Sequence, residues 1–344
     1  MKKLYISLGC GVLMALAACS EQVDMPCIET AITLQASIGD IESNSRVSAS
    51  PFRGQTPTTD QPLNASVWFS LNVGTYAKDC EQDTGLFPCR TTMDFTDASP
   101  QTAMKGTTTL VYPVGDTPQN VYCVGFYPSD DWFSVDGQIA THAIDGEKDL
   151  MFASQISGNV TSPFSGQEYQ HKLTWLKINV CATNVEAADV WGNIEEITVT
   201  SRENLQVTLS DGSIDYTGGI QTIKAFDYTE NVNQEKKAMK ITMQEVGSIL
   251  CSPPNETRVI TEDNGTETFK NEYVVTIKTE KNNKTYTKEL YVSLPITEVN
   301  EAIGKLYILT FYFYPSDVVE STCTLATWEA QNEDLYPETP SQSN

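Results

Sequence analysis

Apolar and polar residues alternate along most of this chain of 344 residues. A period of two places every second side chain on one face of an extended strand, so the pattern predicts β-strands rather than helices. The runs are rich in Val, Ile, Thr, Tyr and Phe, which pack well on a pleated surface. The clearest runs are ASVWFSLNV (65–73), VYCVGFYP (121–128), LTWLKINVCA (173–182), IEEITVTS (194–201), NLQVTLS (204–210), EYVVTIKT (272–279), TKELYVSLP (287–295) and KLYILTFYFYP (305–315).

Short polar turns between these runs predict hairpins. They are VDGQ (135–138), SDGS (210–213) and KNNK (281–284), each flanked by strand patterns. Only TEVNEAIG (297–304) is typical of a short helical turn. The chain is therefore predicted to be all-β, with its strands packed as sandwiches.

The N-terminus predicts export. Lys2 and Lys3 precede an apolar run, residues 4–18, which is too short to span a bilayer. The run ends in LAAC (16–19), which is similar to the lipobox of bacterial lipoproteins. We therefore expect residues 1–18 to be a removed signal and Cys19 to carry a lipid that anchors the chain to a membrane leaflet. The alternative is an ordinary signal peptide with a chance cysteine.

Removing the signal leaves 344 − 18 = 326 residues, room for about two domains. A stretch rich in Gly, Pro and Ser (162–172) separates two strand-dense halves. We predict an N-terminal β-sandwich domain over 28–167, a C-terminal one over 168–330 and a polar tail over 331–344.

Charge and cysteine usage limit the partners. The formal net charge of −23 repels nucleic acid and gives no attraction to anionic lipid headgroups.

Beyond Cys10 and Cys19, seven cysteines remain, an odd number that cannot all pair within the chain. Cys80 and Cys89 bracket a loop and could close it as a disulfide. Cys123 and Cys181 lie inside apolar strand patterns and are expected to be buried.

The sequence carries no recognisable catalytic motif. It has two histidines, His142 and His171, which we expect at the surface or at the domain junction. Trp132 follows two aspartates, a pattern that also suits sugar stacking, but acidic residues are common in this chain and a turn after FYP is the plainer explanation. We therefore expect no enzyme activity, no cofactor and no metal site.

Several segments together resemble the fimbrillin family, the lipoprotein pilins of type V fimbriae. In that family's order they are VYCVGFYPSDDW (121–132), KDLMFAS (148–154), YQHKLTWLKINV (169–180), GKLYILTFYF (304–313) and LATWEA (325–330). The resemblance implies two transthyretin-like β-sandwich domains in tandem, carried as a lipoprotein on the cell outer membrane.

The resemblance also implies a route of assembly. A surface protease cuts after an arginine that follows the first strand, and a strand of another subunit fills the vacated groove. Here the displaced strand would carry Ile32, Leu34, Ala36 and Ile38, which alternate with polar residues. The cut would follow Arg46, with Arg53 as the alternative, so that residues 19–46 leave with the lipid.

The donor strand would come from residues 319–330, where Val319, Cys323 and Leu325 fall on one face. The alternative is that this segment is the last strand of its own domain. The resemblance thus predicts a subunit of cell-surface fimbriae that supports adhesion. Its partners would be other fimbrial subunits, the activating protease and the outer membrane through Cys19. The alternative is a surface lipoprotein that does not polymerise: an anchor, a tip adhesin, or a binder of glycan or host protein.

Overall fold

The structure is a computed structural model that describes residues 30–38, 62–76, 86–95, 101–103, 109–129, 132–135, 138–228, 236–254, 256–262 and 265–326. The described part of the chain is almost entirely β, with one α-helix and one 3-10 turn. In chain order the elements are β1 (Gln35–Ile38), β2 (Leu63–Ser70), β3 (Cys89–Phe95), β4 (Gln101–Ala103), β5 (Val121–Tyr127), β6 (Phe133–Val135), β7 (Ile139–Ala143), β8 (Met151–Gly158), β9 (Gln167–His171), β10 (Thr174–Ala182), α1 (Val185–Trp191), β11 (Asn193–Thr208), β12 (Ile214–Asp227), β13 (Lys237–Ala238), β14 (Gln244–Cys251), β15 (Glu256–Glu262), β16 (Gly265–Lys281), β17 (Lys284–Ser293), a 3-10 turn (Val299–Ala302), β18 (Leu306–Phe313) and β19 (Val319–Ala326).

The N-terminal lobe is a seven-stranded sheet in the order β3-β2-β5-β8-β9-β1-β4. Leu34 and Ala36, at the β1 end, share a buried cluster with Val67 and Phe69 on β2. Side chains from distant strands of one sheet meet only if the sheet folds over itself, so this lobe is a sandwich. Its core lies between the β9-β1-β4 layer and the β3-β2-β5-β8 layer.

The C-terminal lobe packs two sheets face to face. The smaller has the order β14-β10-β18-β19, and the larger runs through β15-β16-β11, with β12 and β13 paired to β11 and β17 paired to β16. Ile178 of β10, Val199 of β11 and Val275 of β16 share one buried cluster between the sheets. This is the second sandwich core.

A third core joins the lobes. The outer face of the β2–β5 layer presents Trp68 and Phe126, which are buried in one cluster with Trp175, Leu205 and Leu306 of the C-terminal half. The second half of β11 and the β6–β7 hairpin lie over this face, because β7 pairs with residues 204–208 of β11. Strand β11 therefore belongs to both lobes.

The all-β prediction and the sandwich packing are confirmed. Two of the predicted hairpin turns join β11 to β12 and β16 to β17. Strands β6 and β7 pair antiparallel on either side of the third, and the helical turn lies at Val299–Ala302. In the KNNK turn, Asn282 and Asn283 take positive φ angles of 53° and 63°, which asparagine tolerates. The predicted domain boundary between 167 and 168 falls inside β9, and the number of domains stays a prediction.

Candidate functional site: the slot of the first strand

The first-strand segment, residues 30–38, lies between two other strands. Strand β1 pairs antiparallel with β4 on one side and parallel with β9 on the other. Before β1, the amide of Ile32 donates to the carbonyl of Leu110 at 2.7 Å, and the amide of Tyr112 donates to the carbonyl of Thr30 at 3.0 Å. The space that this segment occupies, here called the slot, is therefore bounded by backbone on both edges.

Alternate side chains of the segment point into the N-terminal core. Ile32, Leu34 and Ala36 are buried, Ile38 is half-buried, and Thr33 is exposed. The predicted alternation is present. Each buried aliphatic side chain of the size of Ile or Leu contributes roughly 1.5–3 kcal/mol relative to an exposed one. The slot thus holds two large apolar side chains two residues apart, followed by a small one.

Tyr169 of β9 belongs to the same buried cluster as Ile32 and Leu34 and is here called the floor of the slot. The tyrosine is fully buried, its hydroxyl donates to the carbonyl of Ser66 at 2.9 Å, and its ring packs edge-on against Phe95 at 5.3 Å. Burial raises its pKa well above the ordinary value. Tyr169 lies directly on Gly125, where an added Cβ would sit 2.3 Å from the hydroxyl oxygen.

This contact gives a testable expectation. A Gly125→Ala chain should lose about 1–3 kcal/mol of unfolding free energy, because the methyl group forces Tyr169 and its neighbours apart. Gly115→Ala is the matched control, since the nearest atom to its Cβ is a carbonyl oxygen at 3.7 Å. Urea unfolding of both variants measures the difference, and equal stability would contradict the tight floor.

The mouth of the slot is open. The pairing of β1 with β9 begins at Ala36 and Gln167, so the two segments diverge before these residues. A cavity of about 410 Å³ lies there, lined by residues 32–35 and by Phe164, Ser165 and Gly166. The amide of Phe164 donates to the hydroxyl of Tyr112 at 2.9 Å and closes one side. Solvent therefore reaches the edge of the first-strand segment at its N-terminal end.

Strand β19 lies at the edge of the smaller C-terminal sheet. In the described residues it pairs with β18 alone, from Val319 opposite Phe313 to Ala326 opposite Leu306. Val319 and Cys323 are half-buried against the C-terminal core, and burial raises the pKa of the Cys323 thiol to about 12. Leu325 is 59% exposed.

Four of the predicted site residues, Cys19, Arg46, Arg53 and Cys80, lie outside the described residues. Their predicted roles in lipidation, cleavage and disulfide formation stay predictions. Cys89 is buried at the start of β3, and Cys123 and Cys181 are buried as expected.

The surface alternative is wrong for both histidines, because both are buried. His142 is buried beside the Trp132 ring, with ring centroids 5.3 Å apart. His171 does lie at the junction of the lobes, but it is buried in contact with Asp149, which is also buried. Trp132 is 4% exposed, which excludes the sugar-stacking interpretation.

Two other kinds of site are absent from the described part of the chain. It holds no group of three or more His, Cys, Asp or Glu placed to bind a metal ion. None of its helices has the length and apolar character needed to cross a membrane.

No model of a protein family matches this sequence, and no curated protein matches it either. Among solved structures, the chain is similar to a protein of Bacteroides uniformis that is proposed to act in cell adhesion. The match has a TM-score of 0.51 and 14% identity, and it covers 87% of this chain and 98% of the other. At this identity the likeness shows the fold alone.

Two further matches have lower TM-scores. A fimbrial assembly protein of Parabacteroides distasonis matches at 0.42 with 10% identity over 87% of this chain and 99% of the other. The fimbrial anchor protein Mfa2 of Porphyromonas gingivalis matches at 0.37 with 7% identity over 88% of this chain and 99% of the other. At these TM-scores neither match extends the conclusion about the fold.

Proposed function

We propose that this chain is a structural subunit of a cell-surface fimbria and that it joins its neighbours by strand exchange. The observation that carries the proposal is the placement of the first-strand segment. A segment close to the N-terminus occupies an interior position, with β4 on one edge and β9 on the other. One cut in the connection that follows, residues 39–61, would separate it from the rest of the fold.

Loss of the segment would be costly without a replacement. It would leave two strand edges with unpaired backbone groups and would uncover the buried face that Ile32 and Leu34 now cover. A strand from another subunit would restore both the hydrogen bonds and the apolar contacts. Because donor and acceptor are different surfaces, the contact is heterologous and can repeat from subunit to subunit, which builds a filament when the rotation between subunits does not close a ring.

Strand β19 is the best donor in the described residues. It is held on one edge, whereas β1 is held on two. Its run Cys323-Thr324-Leu325 repeats the pattern of Ile32-Thr33-Leu34, with the apolar side chains in the same places. In the slot, Leu325 would take the place of Leu34, and its exposed surface would become buried.

The proposal includes export as a lipoprotein on Cys19, display on the outer membrane and cutting after Arg46 or Arg53. It also includes the absence of enzyme activity. Both described histidines are buried, so no substrate could reach them in this fold.

The test uses the recombinant chain from Ser20 and an arginine-specific protease. We expect a single early cut after Arg46 or Arg53, read by mass spectrometry of the new N-terminus. Filaments should then appear by size and negative-stain microscopy.

The matched control is the Arg46→Lys, Arg53→Lys double variant. It keeps the charge, should resist the arginine-specific protease and remain monomeric, and should assemble once trypsin cuts at the lysines. A chain that is cut cleanly but stays monomeric would overturn strand exchange and favour an anchor, tip or single surface binder.

A further inference from the structure

Exposed apolar side chains are concentrated at the two ends of the molecule. Strand β11 spans 16 residues, from Asn193 to Thr208, which is about 50 Å of extended chain. Loops of the N-terminal lobe gather near its far end, and α1 with three loops of the C-terminal lobe gathers near its start. Of the eleven large apolar side chains that are exposed in the described residues, eight lie at these ends.

The end of the N-terminal lobe, here called the N pole, is built from residues 71–76, 86–88, 113–120, 159–163 and 209–213. The backbone of Gly74 packs against Ser210 at the tip of the β11–β12 hairpin, and the Asn159 side-chain amide donates to Asn120 at 2.7 Å. These contacts hold the loops together as one surface. Its exposed apolar side chains are Val73, Leu86, Val114 and Val160.

The opposite end, here called the C pole, is built from residues 184–192, 236–241, 281–284 and 314–318. The Trp191 indole donates to the carbonyl of Tyr314 at 2.8 Å, and Lys281 contacts Asp189 at 2.6 Å. The amide of Ala182 donates to the carbonyl of Lys240 at 2.7 Å. Its exposed apolar side chains are Val185, Val190, Ile241 and Val318.

The two poles carry opposite charge. The segments that form the N pole contain two acidic residues, Asp116 and Asp211, and no lysine or arginine. Those of the C pole contain five lysines and three acidic residues, an excess of 5 − 3 = 2 positive charges. A positively charged surface is unexpected in a chain with a formal net charge of −23. The complementary charges favour contact between unlike poles and oppose contact between like poles.

We propose that the C pole of one copy docks on the N pole of a second copy, through its aliphatic residues and its lysines. Both surfaces are parts of folded lobes, so this contact does not require a strand to move. It is heterologous and therefore extends copies end to end.

One consequence rests on the proposed function. Strand β19 leaves the C pole at Val318, and the mouth of the slot, beside Leu110 and Phe164, opens next to the N pole. A β19 strand that detaches and pivots after Val318 would point away from its own lobe. Docking would bring it to the mouth of the next slot, where it would run in the direction of β1.

The test places a photo-reactive benzoylphenylalanine at position 185 of the uncut chain from Ser20. Irradiation should give a dimer, with the cross-link mapped by mass spectrometry to residues 71–76, 113–120 or 159–163 of the other copy. A probe at position 220, which is exposed between the poles, is the control and should give little dimer.

Two comparisons sharpen the result. A Val318→Asp change should lower the yield of the position-185 dimer about tenfold, since it places a carboxylate in an apolar contact, and high salt should also lower the yield. Cross-links from position 185 to a second C pole, or no dimer at concentrations where the cut chain forms filaments, would overturn the docking proposal. A dimer from the uncut chain combined with a cut chain that never polymerises would support docking and refute strand exchange, so the two failures are distinguishable.

Discussion

A chain with Leu325→Asp is expected to stay monomeric after cutting by the arginine-specific protease, under conditions in which the unchanged chain forms filaments. In the monomer Leu325 is 59% exposed, so the aspartate should change the unfolding free energy by no more than about 0.5 kcal/mol. In the slot the same side chain would lie where Leu34 is buried, and an unpaired carboxylate there costs several kcal/mol. The change therefore separates assembly from folding.

The matched control is Thr324→Asp. Thr324 is exposed on the opposite face of β19, and its counterpart in the slot, Thr33, is exposed as well. This variant should fold and assemble like the unchanged chain. Urea unfolding of the monomers and negative-stain counts of filaments measure the two effects. Normal filaments from the Leu325→Asp chain would exclude β19 as the donor, whereas loss of filaments from both variants would indicate a general effect of added charge.

The alternation of Ile32, Leu34 and Ala36 was visible in the sequence because a strand with one buried face carries its own signature. The sequence could not show which strands lie beside it. β4 lies about 65 residues further along the chain and β9 about 130, and pairing over such separations depends on the whole fold rather than on local pattern. The open mouth before Ala36 follows from that pairing, so the sequence could not predict it either.

Helix α1 was not predicted, because it is short and the sequence signals at its ends are only single residues. Asn184 accepts a hydrogen bond from the amide of Ala187 at 2.8 Å, and Gly192 ends the helix with a positive φ of 70°. An asparagine before the helix and a glycine after it are recognised boundary signals. Between them only Ala187 and Trp191 are buried, which is too few positions for a helical period to stand out.

The core shared by the two lobes could not be predicted from the sequence either. IEEITVTS (194–201) and NLQVTLS (204–210) were predicted as two strands, and the structure joins them in one strand, β11. The pairing with β12 shifts register between Arg202 and Asn204, which marks the point where β11 passes from one lobe to the other. Leu205 and Val207 then pack against the N-terminal lobe. A bulge of this kind redirects a strand without ending it.

The second large effect is expected for Leu34→Ala. In the uncut chain Leu34 is 2% exposed in the N-terminal core, and its truncation should lower the unfolding free energy by about 2–5 kcal/mol, through lost burial and the cavity left behind. If the first-strand segment leaves during assembly, the filament no longer contains residue 34. The filament of the Leu34→Ala chain should then resist urea as well as the filament of the unchanged chain.

The control is Thr33→Ala, because Thr33 is the exposed neighbour of Leu34. This substitution should change the unfolding free energy of the monomer and of the filament by no more than about 0.5 kcal/mol. Leu34→Ala should also shorten the delay between cutting and assembly, because a more weakly held segment leaves the slot sooner. Urea unfolding of monomers and filaments, followed by the fluorescence of the buried tryptophans, gives both comparisons. A filament weakened as much as the monomer would mean that residue 34 stays in the slot, and the strand-exchange proposal would have to be abandoned for assembly by docking of intact subunits.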